Sequence, residues 1–445
     1  MATTQNESNQ TSQEIIDNLT FCVFDLETTG GNHSYDKIIE IGMIKMKGRE
    51  IVDEMGLLID PQVQIPEFIQ KLTSLTPEIL EGKPTIDQVL EEILEFMGDS
   101  ILVAHNSSFD VPFFNSVLSR MKRAKLKNRV ICTNLMTKYL IPEIMNSNLT
   151  YMSQIFGIPH QKAHRALEDA KAAGMLLKNF LDIFVQKNIR KVNQLYYPRN
   201  KFELDRVHFQ RENGVKEILS KVSTVSLPIT VTIKADQGII LAIFPLKSGT
   251  EDLTFLGDFL ETSNWKMVTL KLVGSYFEGL LNMAQHFTKY SPDHSLHLIE
   301  KICKDMNIIN LEELQEGFKI EKSFFYQQDF LLVPHLIPEQ LIVYPLVNLI
   351  PKKELIFRYP GHKKKVIQFI SGQVRRFPPD KKKYRKSFIA KELLPIFDHF
   401  LNNIADKTWG FKSDLPLKSQ GKFYDKVTTF IEENEIESNY PKMHL

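Results

Sequence analysis

Two apolar, β-favouring runs near the start of the chain, LTFCVFDL (Leu19 to Leu26) and KIIEIGMIKMK (Lys37 to Lys47), are separated by a turn over Gly30 to Asp36 and set the architecture of the first half of the molecule. They read as adjacent strands. A third strand is expected over Glu50 to Leu58 and a fourth over Ser100 to Ala104. Between them, Ile86, Val89, Leu90, Ile93 and Leu94 recur at helical spacing within Thr85 to Met97. Further helices are expected around Val111 to Arg123, Asn134 to Leu140, Thr150 to Phe156 and Ala166 to Val185. Strands alternating with helices predict an α/β domain in which helices cover a sheet.

That domain, residues 19–187, uses less than half of the 445 residues, and domain-size statistics call for a second core. The reading is a flexible arm over 1–18, the α/β domain over 19–187, a linker over 188–205 and a separate α+β domain over 206–445. In the last of these, a hairpin is expected over Ile229 to Pro245, turning at Asp236-Gln237-Gly238, with helices around 275–287 and 295–306. A second hairpin is expected to turn at Pro360-Gly361.

Lysine and arginine (55) nearly balance aspartate and glutamate (54) overall, so net charge predicts no partner. The halves differ: residues 1–190 hold 19 basic and 24 acidic side chains, and 191–445 hold 36 and 30. Three scattered cysteines, Cys22, Cys132 and Cys303, fit neither a disulfide framework nor a zinc site, and agree with a cytoplasmic location. The first eighteen residues lack a secretory signal. The longest apolar stretch, Phe330 to Ile350, carries Pro334, Pro338, Glu339 and Pro345 and reads as buried core, with no membrane association expected.

In Phe24-Asp25-Leu26-Glu27 two acids stand two residues apart at a strand end, so both project from one face and can share a cation. A D-x-E triplet alone is common, and also fits a solvated strand end. Its setting here, FDLETTG, is followed by AHNSSFD, with Asn106, Phe109 and Asp110 in an N-x-x-F-D pattern after a strand, and by HRALEDA, with His164 and Asp169 spaced H-x4-D. An i, i+5 pair is rotated about 140° on a helix, so His164 belongs on the loop before the helix that carries Asp169. The three strings, in this order, resemble the motifs of the DEDDh-type 3′–5′ exonuclease family, which includes the proofreading subunit of bacterial DNA polymerase III. IIEIG and the segments IPEFI and LTSLT fit the wider pattern, except that Ser74 stands where many relatives have glycine.

The resemblance covers residues 19–187 and implies a ribonuclease H-like mixed sheet. It also implies two divalent cations, Mg2+ or Mn2+. Hydrolysis of a phosphodiester places negative charge on the attacking and leaving oxygens, and two such ions about 4 Å apart stabilise both; hard oxygen ligands and the lack of a Cys/His cluster argue against zinc. By resemblance, Asp25 bridges the ions, Glu27 and Asp169 help hold one, Asp110 helps hold the other, and His164 is the general base. Thr28, Asn106 and Phe109 match the family's pocket for the terminal nucleotide, with Phe109 equally suited to a core. His33, Asp36 and Glu40 read as a turn histidine, a turn aspartate and a strand-anchoring acid, and are given no chemistry.

The expected activity is therefore release of nucleoside monophosphates from single-stranded or frayed DNA 3′ ends in proofreading, replication or repair, with a DNA polymerase subunit as a candidate partner. An RNA-trimming or oligoribonucleotide-degrading enzyme is the alternative, since the same five residues serve both polymers. An inactive scaffold or nucleic-acid-binding protein is a third reading. Between Pro351 and Ala390 thirteen basic residues face two acids, with Phe357, Tyr359, Phe369, Phe377 and Tyr384 interleaved. Lys363, Lys364 and Lys365, at the expected hairpin tip, and DKKKYRK (Asp380 to Lys386) fit a single-strand path. They fit a solvated basic face over a core equally well.

Overall fold

The structure is a computed structural model that describes residues 12–160, 163–187, 193–196, 204–225, 228–247, 250–346, 348–349, 353–378, 386–387, 389–404 and 407–434. The chain divides into two compact units, one ending at residue 203 and the other beginning at 204.

The first unit opens with helix α1 (Ser12–Asp17) and continues with strands β1 (Thr20–Thr28), β2 (Ile38–Lys47) and β3 (Glu50–Leu58). Helices α2 (Glu67–Thr73), α3 (Pro77–Leu80) and α4 (Ile86–Met97) lead to β4 (Ile101–Ala104) and α5 (Ser107–Arg120). A short β5 (Val130–Cys132), α6 (Thr133–Leu140), α7 (Leu149–Ile155) and the long α8 (Ala166–Gln186) complete it. The sheet order is β3-β2-β1-β4-β5, antiparallel among the first three strands and parallel from β1 to β5. This is the ribonuclease H-like mixed sheet flanked by helices that the motifs imply. Residues 12–17, expected within a flexible arm, instead form α1, because Ile16 is buried and Arg49 pairs with Asp17; residues 1–11 lie outside the described residues.

The strand period sorts β1 into two faces. Cys22, Phe24 and Leu26 join Val89, Leu90 and Ile93 of α4 and Phe113, Phe114 and Val117 of α5 in one core cluster. The alternate positions, Phe21, Val23, Asp25 and Glu27, stand opposite Met46, Ile44, Gly42 and Glu40 of β2 on the face that α8 covers. Gly42 is required there: a Cβ on it would lie 2.1 Å from the Ala166 carbonyl carbon and the Leu167 nitrogen. The start of α8 is thereby pressed onto β2 beside the acidic end of β1, and Gly42→Ala would force it away.

Among the described residues, the second unit holds two antiparallel four-stranded sheets. One orders Arg206–Gln210, Met267–Leu272, Ile229–Lys234 and Ile240–Leu246; the other orders Leu355–Arg358, Gln340–Pro345, Phe330–Pro334 and Trp409–Phe411. The Ile229 hairpin turns through Gln237 and Gly238, both at positive φ. Phe330–Pro334 and Gln340–Pro345 are buried throughout, and no helix among the described residues is long and apolar enough to cross a membrane.

The second hairpin is corrected. Leu355–Arg358 turns at Pro360-Gly361 into a helix, Lys363–Arg376, not into another strand. The cause is helical spacing of Val366 and Ile370, which bury into the cluster of Phe330, Phe357, Phe411 and Phe423. Lys363, Lys364 and Lys365 therefore form the first turn of a helix.

Candidate active site

Four acids converge from three elements. Asp25 and Glu27 come from the end of β1, whose pairing with β2 is interrupted by a bulge between Glu27 and Thr28. Asp110 is the fourth residue of α5 and Asp169 the fourth of α8, and both are buried. Each helix directs its positive N-terminal end toward the acid it carries. α8 begins at Ala166, which leaves His164 exposed on the loop before it, with φ of 65°. Ligand atoms of Glu27, His164 and Asp169 all lie within 4.8 Å of one another.

The electrostatics are those of like charges confined together, with Arg165 at their edge. Asp25 is pushed well above the usual carboxylate range by burial and then by Asp110, Asp169, Glu27 and Glu40. Burial and the neighbouring carboxylates, Asp169 first, push Glu27 up to about 8. Burial pushes Asp110 up to about 7, against hydrogen bonds from its own and the Leu26 backbone. Burial also raises Asp169, while contacts from His160 and His164 oppose the rise. Glu27, His164 and Asp169 are within cation-binding reach of one another, and an oxygen-rich set of buried acids fits hard divalent ions.

Asp169 is held at both oxygens: Oδ2 accepts the His164 backbone N–H at 2.9 Å, and Oδ1 contacts His160 Nε2. The sequence reading missed His160, whose side chain is 3% exposed and whose Nδ1 is buried with no hydrogen-bond partner among the described residues; the H-x3-H-x4-D spacing was its only signal. His105 has a framework role. Its Nε2–H donates to the Ser147 carbonyl at 2.7 Å and its Nδ1 lies 3.0 Å from Thr133 Oγ1; burial lowers its pKa to about 4.

The other candidates separate. Thr28 is buried and its hydroxyl donates to the Gly30 carbonyl. Asn106 is exposed and accepts from Ser108 Oγ. Phe109 is partly buried on the α4–α5 core, edge-on to His33 and tilted against Phe113. Asp36 closes the β1–β2 turn, accepting from Asn32 N at 2.7 Å. Glu40, by contrast, is buried beside the acids and binds Arg165 and the Ala166 N–H. Lys363, Lys364 and Lys365 belong to the other unit; Lys363 Nζ stands over the rings of Tyr359 and Tyr424 at 5.3 and 5.0 Å. Phe357, Tyr359 and Phe369 pack into that unit's core, and Asp380 to Arg385, with Tyr384, lie outside the described residues.

Residues 22–177 match the family model described as Exonuclease, so this region is an exonuclease domain, and Asp25, Glu27, Asp110, His164 and Asp169 all fall inside the match. Curated proteins it is similar to include DNA polymerases III of the PolC type. That of Clostridium perfringens (strain 13 / Type A) is 46% identical over 158 residues, covering 36% of this chain and 11% of the relative. That of Oceanobacillus iheyensis is 32% identical over 299 residues, covering 63% and 20%. The chain thus spans a fifth or less of these relatives' length. Solved structures with a likeness include Exonuclease X in complex with 5′ overhanging duplex DNA (24% identity, TM-score 0.31, 36% of this chain and 91% of that one). Another is the nuclease domain of 3′hExo bound to rAMP (20%, TM-score 0.33, 37% and 92%).

Proposed function

We propose that this chain hydrolyses the terminal phosphodiester at DNA 3′ ends, releasing nucleoside monophosphates one at a time in replication or repair. The observation that carries the reading is the convergence of Asp25, Glu27, Asp110 and Asp169, all with raised pKa values, beside an exposed His164. Such a cluster is costly to the fold and is stabilised by cations. The relatives' polymerase context favours DNA.

Asp25, Glu27, Asp110 and Asp169 would hold two divalent cations, magnesium or manganese, which when bound supply positive charge against the negative charge that develops on the phosphate and leaving oxygens. His164, outside the helix and open to solvent, takes the proton from the attacking water as general base. Its backbone N–H fixes Asp169 at the same time, coupling the placement of base and ligand. The bulged end of β1 at Thr28, with Asn106 and Phe109 at the start of α5, forms the site for the terminal nucleotide.

The test is incubation of the purified chain with magnesium and matched 5′-labelled DNA and RNA strands. Stepwise shortening of DNA at a rate about tenfold or more that of RNA is expected. A preference for RNA, or internal cuts, would overturn the substrate assignment.

A further inference from the structure

Glu40 is a fifth carboxylate at this site, and the fold holds it there against an electrostatic cost. It lies directly opposite Glu27 across the β1–β2 pair, with its side chain 6% exposed. Like charges at opposed positions destabilise a sheet, and burial adds to the cost. Its charge also raises the proton affinity of Asp25 and Glu27.

What Glu40 holds is the junction of loop and α8 that carries the base. Arg165 Nη2 donates to Glu40 Oε1 at 3.0 Å, and Arg165 Nε lies 3.3 and 3.2 Å from the two carboxylate oxygens. The Ala166 N–H donates to Oε2 at 3.1 Å. Both oxygens are thus used on two consecutive residues. The Arg165 carbonyl in turn accepts the Asp169 N–H at 2.9 Å, and Asp169 Oδ2 accepts the His164 N–H. His164 sits at φ of 65°, a conformation that non-glycine residues keep only where surrounding contacts over-determine it. The ring of hydrogen bonds through Glu40, Arg165 and Asp169 supplies those contacts, and Gly42 lets the junction approach β2 closely enough to close it.

We infer that Glu40 and Arg165 are positioning residues that lock the loop of His164 in its reactive place, an inference that rests on the exonuclease reading of the site. Glutamate is needed because it accepts a forked guanidinium and a backbone N–H together, and arginine because lysine cannot reproduce the fork.

The test is a mutant cycle under single-turnover conditions on a 5′-labelled DNA strand. Glu40→Gln, which keeps an acceptor for the Ala166 N–H, and Arg165→Lys are each expected to lower the cleavage rate about 10- to 100-fold, with KM changed less than about threefold. In a His164→Ala background the same substitutions are expected to cost less than about twofold, since there is no base left to misplace. Equal losses in both backgrounds would overturn the inference. Amide exchange over residues 163–169 of the metal-free chain provides a readout independent of cleavage. Arg165→Ala should speed it about tenfold or more, and unchanged exchange would overturn the clamp even if the wild type cleaves nothing. If the wild type is no faster than Asp169→Ala, the exonuclease reading fails, while exchange still decides whether the clamp exists.

Discussion

The two units place their charges in opposite ways. The first buries carboxylates of one sign around the end of β1, where each raises its neighbours' proton affinity. The second keeps Lys363, Lys364 and Lys365 at a helix start and turns the adjacent aromatic rings inward. Charge buried at a cost demands a compensating ligand, whereas solvated charge costs little and specifies little. The acid cluster is therefore the better witness to function.

The sharpest way to break this contrast is to remove one buried acid. Asp25→Asn should lower nuclease turnover on the order of 10³-fold or more while raising the melting temperature of the metal-free chain at pH 8, by relief of repulsion. A lowered melting temperature would mean that the acid is structural.

A pH titration of stability comes next. Glu27 at about 8 and Asp110 at about 7 lie above their unfolded values near 4. The folded chain therefore holds more protons than the unfolded chain between these limits. Stability is fullest below about pH 4 as far as these groups are concerned, and is lost as pH rises through about 7 to 8. Metal-free melting temperature should fall by about 4 °C or more from pH 5.5 to 8.5, and magnesium should restore it at the upper end. A flat profile without metal would contradict the electrostatic account.

In the second unit, effects should be small. Lys363→Ala removes a cation from two tyrosine faces and should cost about 0.5–1 kcal/mol in denaturant unfolding. Charge reversal of Lys364 and Lys365 together should leave unfolding within about 0.5 kcal/mol and cleavage rates unchanged. A steep loss of DNA binding with an altered salt slope would make this helix a nucleic-acid surface after all.

Ser74→Gly should have an effect about as small as that of Lys363→Ala, with the opposite sign. Ser74 caps α2 at φ of 60°, where glycine avoids a Cβ clash, so a gain of about 0.5–1 kcal/mol is expected. A loss would mean that the Ser74 side chain stabilises the turn.

Long periodic elements were legible from the sequence: β1 to β4, α4 and α8 fall within a few residues of their expected bounds. The three-residue β5 and seven-residue α2 went unread, being too short for a period to show. At Pro360-Gly361 a strong turn signal hid the helical spacing of Val366 and Ile370. The candidate site was legible where its residues sit in dense local strings. Glu40 was seen only as an anchoring acid because Arg165 lies 125 residues away, and no local pattern joins them. His160 was missed because its contact with Asp169, nine residues on and in the first turn of α8, is not a spacing that any local pattern marks.

The most direct test of the central claim is the product ladder from a 5′-labelled DNA strand with magnesium, run for the wild type beside Asp25→Asn and Asp169→Ala. One-nucleotide steps from the 3′ end are expected for the wild type, and an intact strand for both variants over about a hundredfold longer time. Shortening by either variant at the wild-type rate would contradict that claim.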